Sequence, residues 1–444
     1  MSGLEIITLG CRLNLAESAA MRILAHGEDD LVIVNSCAVT NEAVRQTRQA
    51  IRKAKRARPE ARVIVTGCAA QVEPETFAAM PDVSRVVGNR EKFEAASFRP
   101  FDVACGVAQD ELRPESRDER TPEPSFPEMP AFAGMTERVL VSDIMAVRER
   151  APHMVSAVCE RSRAFVEVQN GCDHRCTFCI IPFGRGNSRS VPAGPVVERI
   201  KALVDEGFQE VVLTGVDVTS YGPDLPGSPS LGLLVERILA YVPSLPRLRL
   251  SSLDSVEIDA RLEEIICHEP RFMPHLHMSF QAGDDMILKR MKRRHSRAQA
   301  VDTVRRLKER RPEIAIGADL IAGFPTETDE MAENSLRLID ECDIVMGHIF
   351  PFSPKRGTPA ARMPQVPAPV IKERARRLRE AAAARKAAWL EGLVGARQRV
   401  LVEKDGHGHA ENFARVRVGH AHAGEVAEVL VTSLEGSTLV GEAA

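Results

Sequence analysis

The chain has 444 residues, 44% of them hydrophobic and 27% charged, with a net charge of −3. That length exceeds one compact core and predicts two or three domains, while the near-neutral balance excludes a chain coated in positive charge. No apolar run approaches the roughly eighteen residues of a membrane span. The opening MSGLEIITLGC reads as a strand without signal features, so a cytoplasmic protein is expected, and in that setting those of its ten cysteines that cluster read as metal ligands or catalysts rather than disulfides.

In chain order, EIITL, LVIVN, RVIVTG and RVVG are short β-branched runs separated by Ala- and Arg-rich stretches with helical spacing. They predict a small α/β domain with a mostly parallel sheet over residues 1–105. Three of its strands lead into a thiol, in ITLGC, IVNSC and VTGC, so a parallel sheet would carry Cys11, Cys37 and Cys68 to one edge. A lone cysteine is usually a small buried hydrophobe. Three at equivalent strand ends predict instead a cluster held by three thiolates. Cys105, Cys159, Cys267 and Cys342 follow no such pattern and read as ordinary residues. Residues 106–136 bring Pro114, Pro122, Pro124, Pro127 and Pro130 among many charges, and the stretch 106–160 reads as an insertion and linker.

A second α/β rhythm runs over residues 161–388. Its strands are AFVEVQ, EVVLTG, RLRLSS, LHMSFQ, IAIGADLI and IVMGHIF, with helices expected near 193–206, 230–242, 257–267, 285–311 and 328–341. Six parallel strands with crossover helices predict a partial (β/α)6 barrel, with an open doubly wound sheet as the alternative; both put chemistry at the C-terminal strand ends. Directly after the first strand, NGCDHRCTFCIIPFGRG spaces Cys172, Cys176 and Cys179 as C-x3-C-x2-C. Three thiolates on one tight loop suit three corners of a 4Fe-4S cube and leave the fourth iron open. A closed zinc site would need a fourth Cys or His, for which His174 is at hand. The later strand ends supply Thr214, Gly215 and Asp217; Ser251 and Ser252; Gln281 and Gly283; and Asp319, Gly323 and Glu327. Of these, Gly215, Ser251 and Gln281 are expected to contact a nucleoside cofactor across the barrel mouth. A basic Ala-rich helix follows at 370–389. The closing residues, 389–444, read as short Gly-punctuated strands of a small oligonucleotide-binding type β-barrel.

Basic residues concentrate in three runs. Residues 45–58 carry seven bases and no acid, 289–311 carry eleven, and 372–386 carry seven, which makes a polyanionic partner a reading to set beside solvated helix faces.

The cysteine loop, with Phe178 just before its third thiol, resembles the signature of radical S-adenosylmethionine enzymes. Over essentially the whole chain, TLGCRLNLAES, VNSCAVTNEA and VTGCAAQ, then GCDHRCTFCIIPFGRGNSRS, LHMSFQAGDDMILKRMKRRH, GADLIAGFPTE and FPFSPKRGTPA, and finally VLVEKDG with AENFARVRV and GEVAEV, resemble the methylthiotransferase family. CRLN after the first cysteine and CDHRCTFCIIPFGRG resemble its branch acting on N6-threonylcarbamoyladenosine in tRNA. The resemblance implies two 4Fe-4S clusters, held by Cys11/Cys37/Cys68 and Cys172/Cys176/Cys179, with S-adenosylmethionine as cosubstrate. It also implies a C-terminal TRAM domain for RNA and a methylthio group placed on C2 of the adenosine beside the anticodon. The partners so implied are the tRNA anticodon stem-loop and an electron donor such as flavodoxin or ferredoxin, with no membrane. Isopentenyladenosine and a ribosomal-protein aspartate are the alternative substrates, and a non-catalytic iron–sulfur RNA-binding protein is the alternative class. Two departures are local: the span from Met21 to Cys37 is short, and 106–136 looks inserted.

Overall fold

The computed structural model describes residues 3–100, 138–148, 162–404, 406–419 and 421–443. Most of the expected insertion lies outside these, as do Cys105 and Cys159. The chain forms two compact units: residues 1–147 with Phe183–Gly186 and Lys355–Gly357, and the remainder.

The first unit is a parallel sheet in the order β1 (Glu5–Thr8), β2 (Leu31–Ser36), β3 (Arg62–Gly67), β4 (Arg85–Val87) and β5 (Val139–Leu140). Every residue of β2 is buried, as is all of β3 after its first, and such continuous apolar runs mark strands covered on both faces. Met21, Leu31, Ile33, Ile64, Val87 and Phe98 form its core. The two-residue β5 is too short to leave a period in the sequence, and it falls in the stretch read as linker.

The second unit carries the expected parallel strands in two sheets. β6 (Arg163–Asn170) pairs with β8 (Glu210–Gly215), which pairs with β9 (Leu248–Leu250); the short β7 (Arg189–Ser190) adds antiparallel to β6. β10 (Ser252–Leu253), β11 (His275–Gln281), β12 (Ala315–Ala322) and β13 (Ile344–Pro351) make the other sheet, all parallel. β9 and β10 are one strand interrupted at Ser251, which gives six parallel strands of barrel type with crossover helices. The expected helix 285–311 is two helices, Asp285–Met291 and Arg297–Arg310. The break is at Lys292, left-handed at φ 58°, and the second helix restarts on a capping box between Ser296 and Gln299. It turns Arg293 toward Cys176 and Asp254.

The long helix Ala368–Glu391 backs β13, where a Cβ at Gly347 would lie 2.8 Å from that of Ala382. Beyond it β14 (Arg397–Lys404), β15 (His407–Ala410), β16 (Arg415–Val418), β17 (Val426–Glu435) and β18 (Thr438–Ala443) close a five-stranded barrel. β15, HGHA, has no apolar alternation to mark it in the sequence.

This small barrel is clasped to the base of the larger one. Phe413 stacks between His275 and His409, with ring centroids 4.8 and 4.5 Å away. The guanidiniums of Arg163 and Arg249 lie 5.0 and 4.9 Å from the same ring. Beneath them Glu210, fully buried, pairs with both arginines. Among the described residues no helix is long and apolar enough to cross a membrane.

Candidate functional site

In the second unit Cys172, Cys176 and Cys179 line one cavity with His174, Phe178, Asp217, Asp254, Gln281 and Arg293. The cysteine loop is pinned from below. Thr177 donates through its amide to Met291 O at 3.1 Å and through its hydroxyl to Arg290 O at 2.8 Å, so the broken helix anchors the loop it faces. Phe178 packs edge-on to Phe324 at 6.4 Å. Gln169, at the end of β6, accepts the Asp217 amide at 2.9 Å and donates to Gly171 O at 2.7 Å, tying the first strand end to the second.

The cavity's charges are arranged around the thiols. Arg293 reaches Cys176 Sγ at 3.7 Å while donating to Asp254 at 2.7 Å and Ser279 O at 2.8 Å. His174 Nε2 lies 3.1 Å from Glu257 and 3.4 Å from Asp217, and the single Ser220 O–H lies within reach of both carboxylates, 2.9 Å from Asp217 and 3.1 Å from Glu257. Hydrogen bonding to Cys176 and Glu257 raises the His174 imidazole to about 10. Burial alone would push the Cys176 thiol up, but the His174 hydrogen bond and the Arg293 charge outweigh it and bring the thiol below its ordinary value. Cys179 goes the other way, to about 12, through burial and then the neighbouring Cys176; burial followed by Asp217 raises Cys172 as well. Such thiols stay protonated until a cation arrives, and a bound metal deprotonates its thiol ligands outright.

In the first unit β1, β2 and β3 run in parallel register, Thr8 beside Asn35 and Asn35 beside Thr66. Their exits carry Cys11, Cys37 and Cys68 to one edge. Gly10 is held at φ 95°, and a Cβ there would sit 3.0 Å from Cys37 Sγ, so Gly10 is what lets the first strand end approach the second thiol. Asn14 donates to Leu9 O at 2.6 Å and Ser36 O at 3.1 Å, and Asn89 reaches Cys68 Sγ at 3.8 Å. Beside these thiols Glu17 pairs with Arg185 at 2.6 Å and with Lys92 at 2.7 Å, all three almost wholly buried. Two cations against one carboxylate leave a buried positive excess next to three thiols. Burial and the neighbouring Cys68 lift Cys37 to about 11, while Arg185 opposes the shift. The donor set fits an anionic thiolate cluster, whose negative charge this excess offsets.

Of the other expected residues, Gln281 lines the thiol cavity, whereas Gly215 and Ser251 stand just outside it and their chain neighbours Val216 and Ser252 form its wall. Gly323 and Glu327 serve packing: the Gly323 amide and Arg374 both bind the Glu327 carboxylate. A Cβ at Gly283 would collide with Asn334 O at 2.6 Å, so it too is a close-packing position. Sequence reasoning missed Arg293, Asp254 and Glu257, which lie in KRRH and SSLDSVE and signal only by being charged beside strand ends. Cys267 and Cys342 are buried, as ordinary residues would be.

A partial barrel of six parallel strands, the first leading into three thiols that line a polar cavity, defines a radical S-adenosylmethionine protein. The Radical SAM superfamily model matches residues 166–339 and the model for uncharacterized protein family UPF0004 matches residues 4–88. The chain is 47% identical to threonylcarbamoyladenosine tRNA methylthiotransferase MtaB of Rickettsia prowazekii, over 93% of this chain and 91% of that one. Identity to the protein of that name from Aquifex aeolicus is 34%, over 96% and 98% of the two chains. To the tRNA-2-methylthio-N(6)-dimethylallyladenosine synthase of Erythrobacter litoralis it is 32%, over 90% and 86%. The chain belongs to the methylthiotransferase family, and it is a radical S-adenosylmethionine enzyme.

Proposed function

We propose that this enzyme places a methylthio group on C2 of N6-threonylcarbamoyladenosine next to the tRNA anticodon, in the cytoplasm. The observation that carries this is the pair of three-thiol sites, each backed by its own buried cation, in a chain 47% identical to an enzyme named for that reaction. The domain limits 1–105, 161–388 and 389–444 divide the work into sulfur site, radical site and RNA grip. Cys172, Cys176 and Cys179 would hold one 4Fe-4S cluster and Cys11, Cys37 and Cys68 the other.

When bound, these clusters supply one-electron chemistry with an open iron for S-adenosylmethionine, and a sulfur-bearing site. The chain's own residues prepare for them. Arg293 and His174 stabilise thiolate at Cys176, and Asp254 holds Arg293 in place. Phe178 shields one side of the loop with Phe324 and Phe352, which limits water where a carbon radical must survive. Gln281 offers an amide for a cofactor contact, and Ser251 and Gly215 are second-line candidates. An electron donor of flavodoxin or ferredoxin type would reduce the cluster.

The deciding experiment uses protein purified without oxygen and reconstituted, with reductant, S-adenosylmethionine and tRNA carrying threonylcarbamoyladenosine, read by nucleoside mass spectrometry. A methylthio adduct on that nucleoside is expected. Cleavage of S-adenosylmethionine without the adduct would overturn the substrate, and an adduct formed only in a parallel reaction with tRNA carrying isopentenyladenosine would select the sister branch.

The three basic runs differ in how they are neutralised, and this supports one of them as an RNA surface. In 289–311, Arg297, Arg305, Arg306, Lys308, Arg310 and Arg311 all pair with carboxylates. In 372–386 the pairing is partial: Arg374, Arg376, Arg377 and Arg385 pair with carboxylates, four of seven bases among the described residues. On the helix Asn41–Ala57, by contrast, Arg48, Arg52 and Lys53 have no carboxylate partner among the described residues, and Gln49, Arg52, Lys53, Lys55 and Arg56 line an open groove with Asp82. Neutralising Arg48, Arg52 and Lys53 together to Gln should weaken tRNA binding and flatten its salt dependence by roughly 0.7–0.9 in slope per lost phosphate contact. The matching triple at Arg305, Arg306 and Arg310 should leave that slope alone. Equal effects from both would show that ion pairing does not decide the RNA surface.

A further inference from the structure

Inside the second unit lies a polar set that the thiol site does not use. His277 on β11 and His348 on β13 both approach one oxygen of Asp319 on β12: His277 Nε2 is 2.8 Å and His348 Nδ1 3.2 Å from Oδ1. Their rings lie 4.5 Å apart, centroid to centroid. All three side chains face the interior of the strands. A Cβ at Gly317 would stand 2.6 Å from His277 Nδ1, so Gly317 and Asp319, two residues apart, share that face. Gly347 points at Ala382 behind the sheet, which leaves its neighbour His348 on the inner side.

That face continues into the thiol cavity. Ser279 and Gln281 line the cavity, and His277 is the preceding residue of the same alternation, roughly 7 Å further along the strand. At the other end, β13 is the last strand of its sheet and the His348 side chain is 62% exposed. A polar strip therefore starts among the thiols and ends at an open sheet edge.

We propose that His277, Asp319 and His348 form the subsite that reads the substituent on N6 of the target adenosine, and that it takes a ureido-linked amino acid. This rests on the function proposed above and names what selects its substrate. Asp319 is a carboxylate throughout the neutral range, its carboxyl brought to about 2 against burial by the two imidazoles. By accepting an N–H from each ring it fixes both tautomers and leaves the outer nitrogen of His348 directed away from the pair. In adenine, C2 and C6 flank N1. A base with C2 among the thiols can thus send its N6 substituent along the strip, and a threonylcarbamoyl group is long enough for one two-residue step. That group offers N–H, O–H, carbonyl and carboxylate to the imidazoles. An isopentenyl group offers none, so it would cover His277 and His348 without replacing the water hydrogen bonds it displaces.

The test measures steady-state methylthiolation of two tRNAs, one bearing threonylcarbamoyladenosine and one isopentenyladenosine, by the reconstituted full-length enzyme and its variants. His348→Leu is expected to raise KM for the first tRNA on the order of tenfold, to move kcat less, and to narrow the kcat/KM ratio between the two. His348→Gln should recover part of that ratio, which a merely structural role would not produce. Iron content and melting temperature control for folding. An unchanged ratio overturns the subsite. The three ligand atoms also lie within 4.8 Å of one another, so titration with zinc chloride is the second arm. Stoichiometric zinc binding that His348→Leu abolishes, with turnover that requires the zinc, overturns the subsite in favour of a metal centre. If wild type prefers the isopentenyl substrate, the proposed function fails first, and independently of any variant.

Discussion

Cys176→Ala abolishes reductive cleavage of S-adenosylmethionine, whereas Cys37→Ala leaves cleavage in place and removes the methylthio product. This is the expected pair of results, and the asymmetry follows from the two sites. Cys176 is the thiol that His174 and Arg293 hold below its ordinary value, so it is the readiest thiolate of its loop. Losing one of three ligands should strip that cluster and its open corner. Cys37 sits in the other unit, beside the Glu17–Arg185–Lys92 set, and its loss should empty only the sulfur site. Iron and sulfide analysis, 5′-deoxyadenosine formation and nucleoside mass spectrometry read the three consequences separately. Cys267→Ala, a buried cysteine outside both sites, should leave all of them near wild type. Full product from Cys37→Ala would end the case for a second thiolate cluster.

The second large effect concerns stability. Glu210 is the only carboxylate that pairs with both Arg163 and Arg249 among the described residues, and the side chains of Glu210 and Arg249 are at most 1% exposed. Breaking a buried pair by deleting one partner costs about 3–5 kcal/mol, because the remaining charge is stranded in a low dielectric. Glu210→Gln should lower the melting temperature of this unit by on the order of 10 °C in calorimetry. The same group predicts a pH dependence. Although burial acts to raise it, the arginines bring its carboxyl down from 4.5 to about 2 in the folded state. Its contribution is therefore complete above the unfolded value and is lost as pH falls from about 4.5 toward 2, roughly 3 kcal/mol in all. Glu210→Gln should flatten that acid limb. A melting temperature within a degree of wild type would show that solvent or rearrangement compensates the arginines.

What the sequence made legible were features carried by local order. Cysteines that directly follow β-branched runs reveal both thiol sets, because strand period and strand end are local properties. The barrel's parallel strands show through their continuous apolar runs for the same reason. Arg293 stayed hidden because KRMKRRHSRAQ reads as one unbroken basic helix, and only the left-handed turn at Lys292 brings it to Cys176. Arg185 was legible as part of the cysteine motif, yet it belongs by its contacts to the first unit, with Glu17 and Asn14. Such pairings span more than 160 residues of sequence, and no periodicity encodes them. The basic runs show the same limit. Their charge is visible at once, and pairs at helical spacing such as Arg305 with Asp302 can be read locally, but Glu341 for Arg297 and Glu333 for Arg377 come from other helices.

The Phe413 clasp gives the C-terminal barrel a property that a tethered module lacks. A domain on a flexible linker samples a volume, and its ligand reaches the active site by chance within that volume. Here an aromatic ring gripped by two imidazoles and two guanidiniums, over a buried ion triad, fixes the offset between the small barrel and the base of the large one. Whatever the small barrel holds is presented at a set distance and a set angle, as on a ruler. Were that ligand a duplex, one added base pair would bring its far end in rotated as well as displaced.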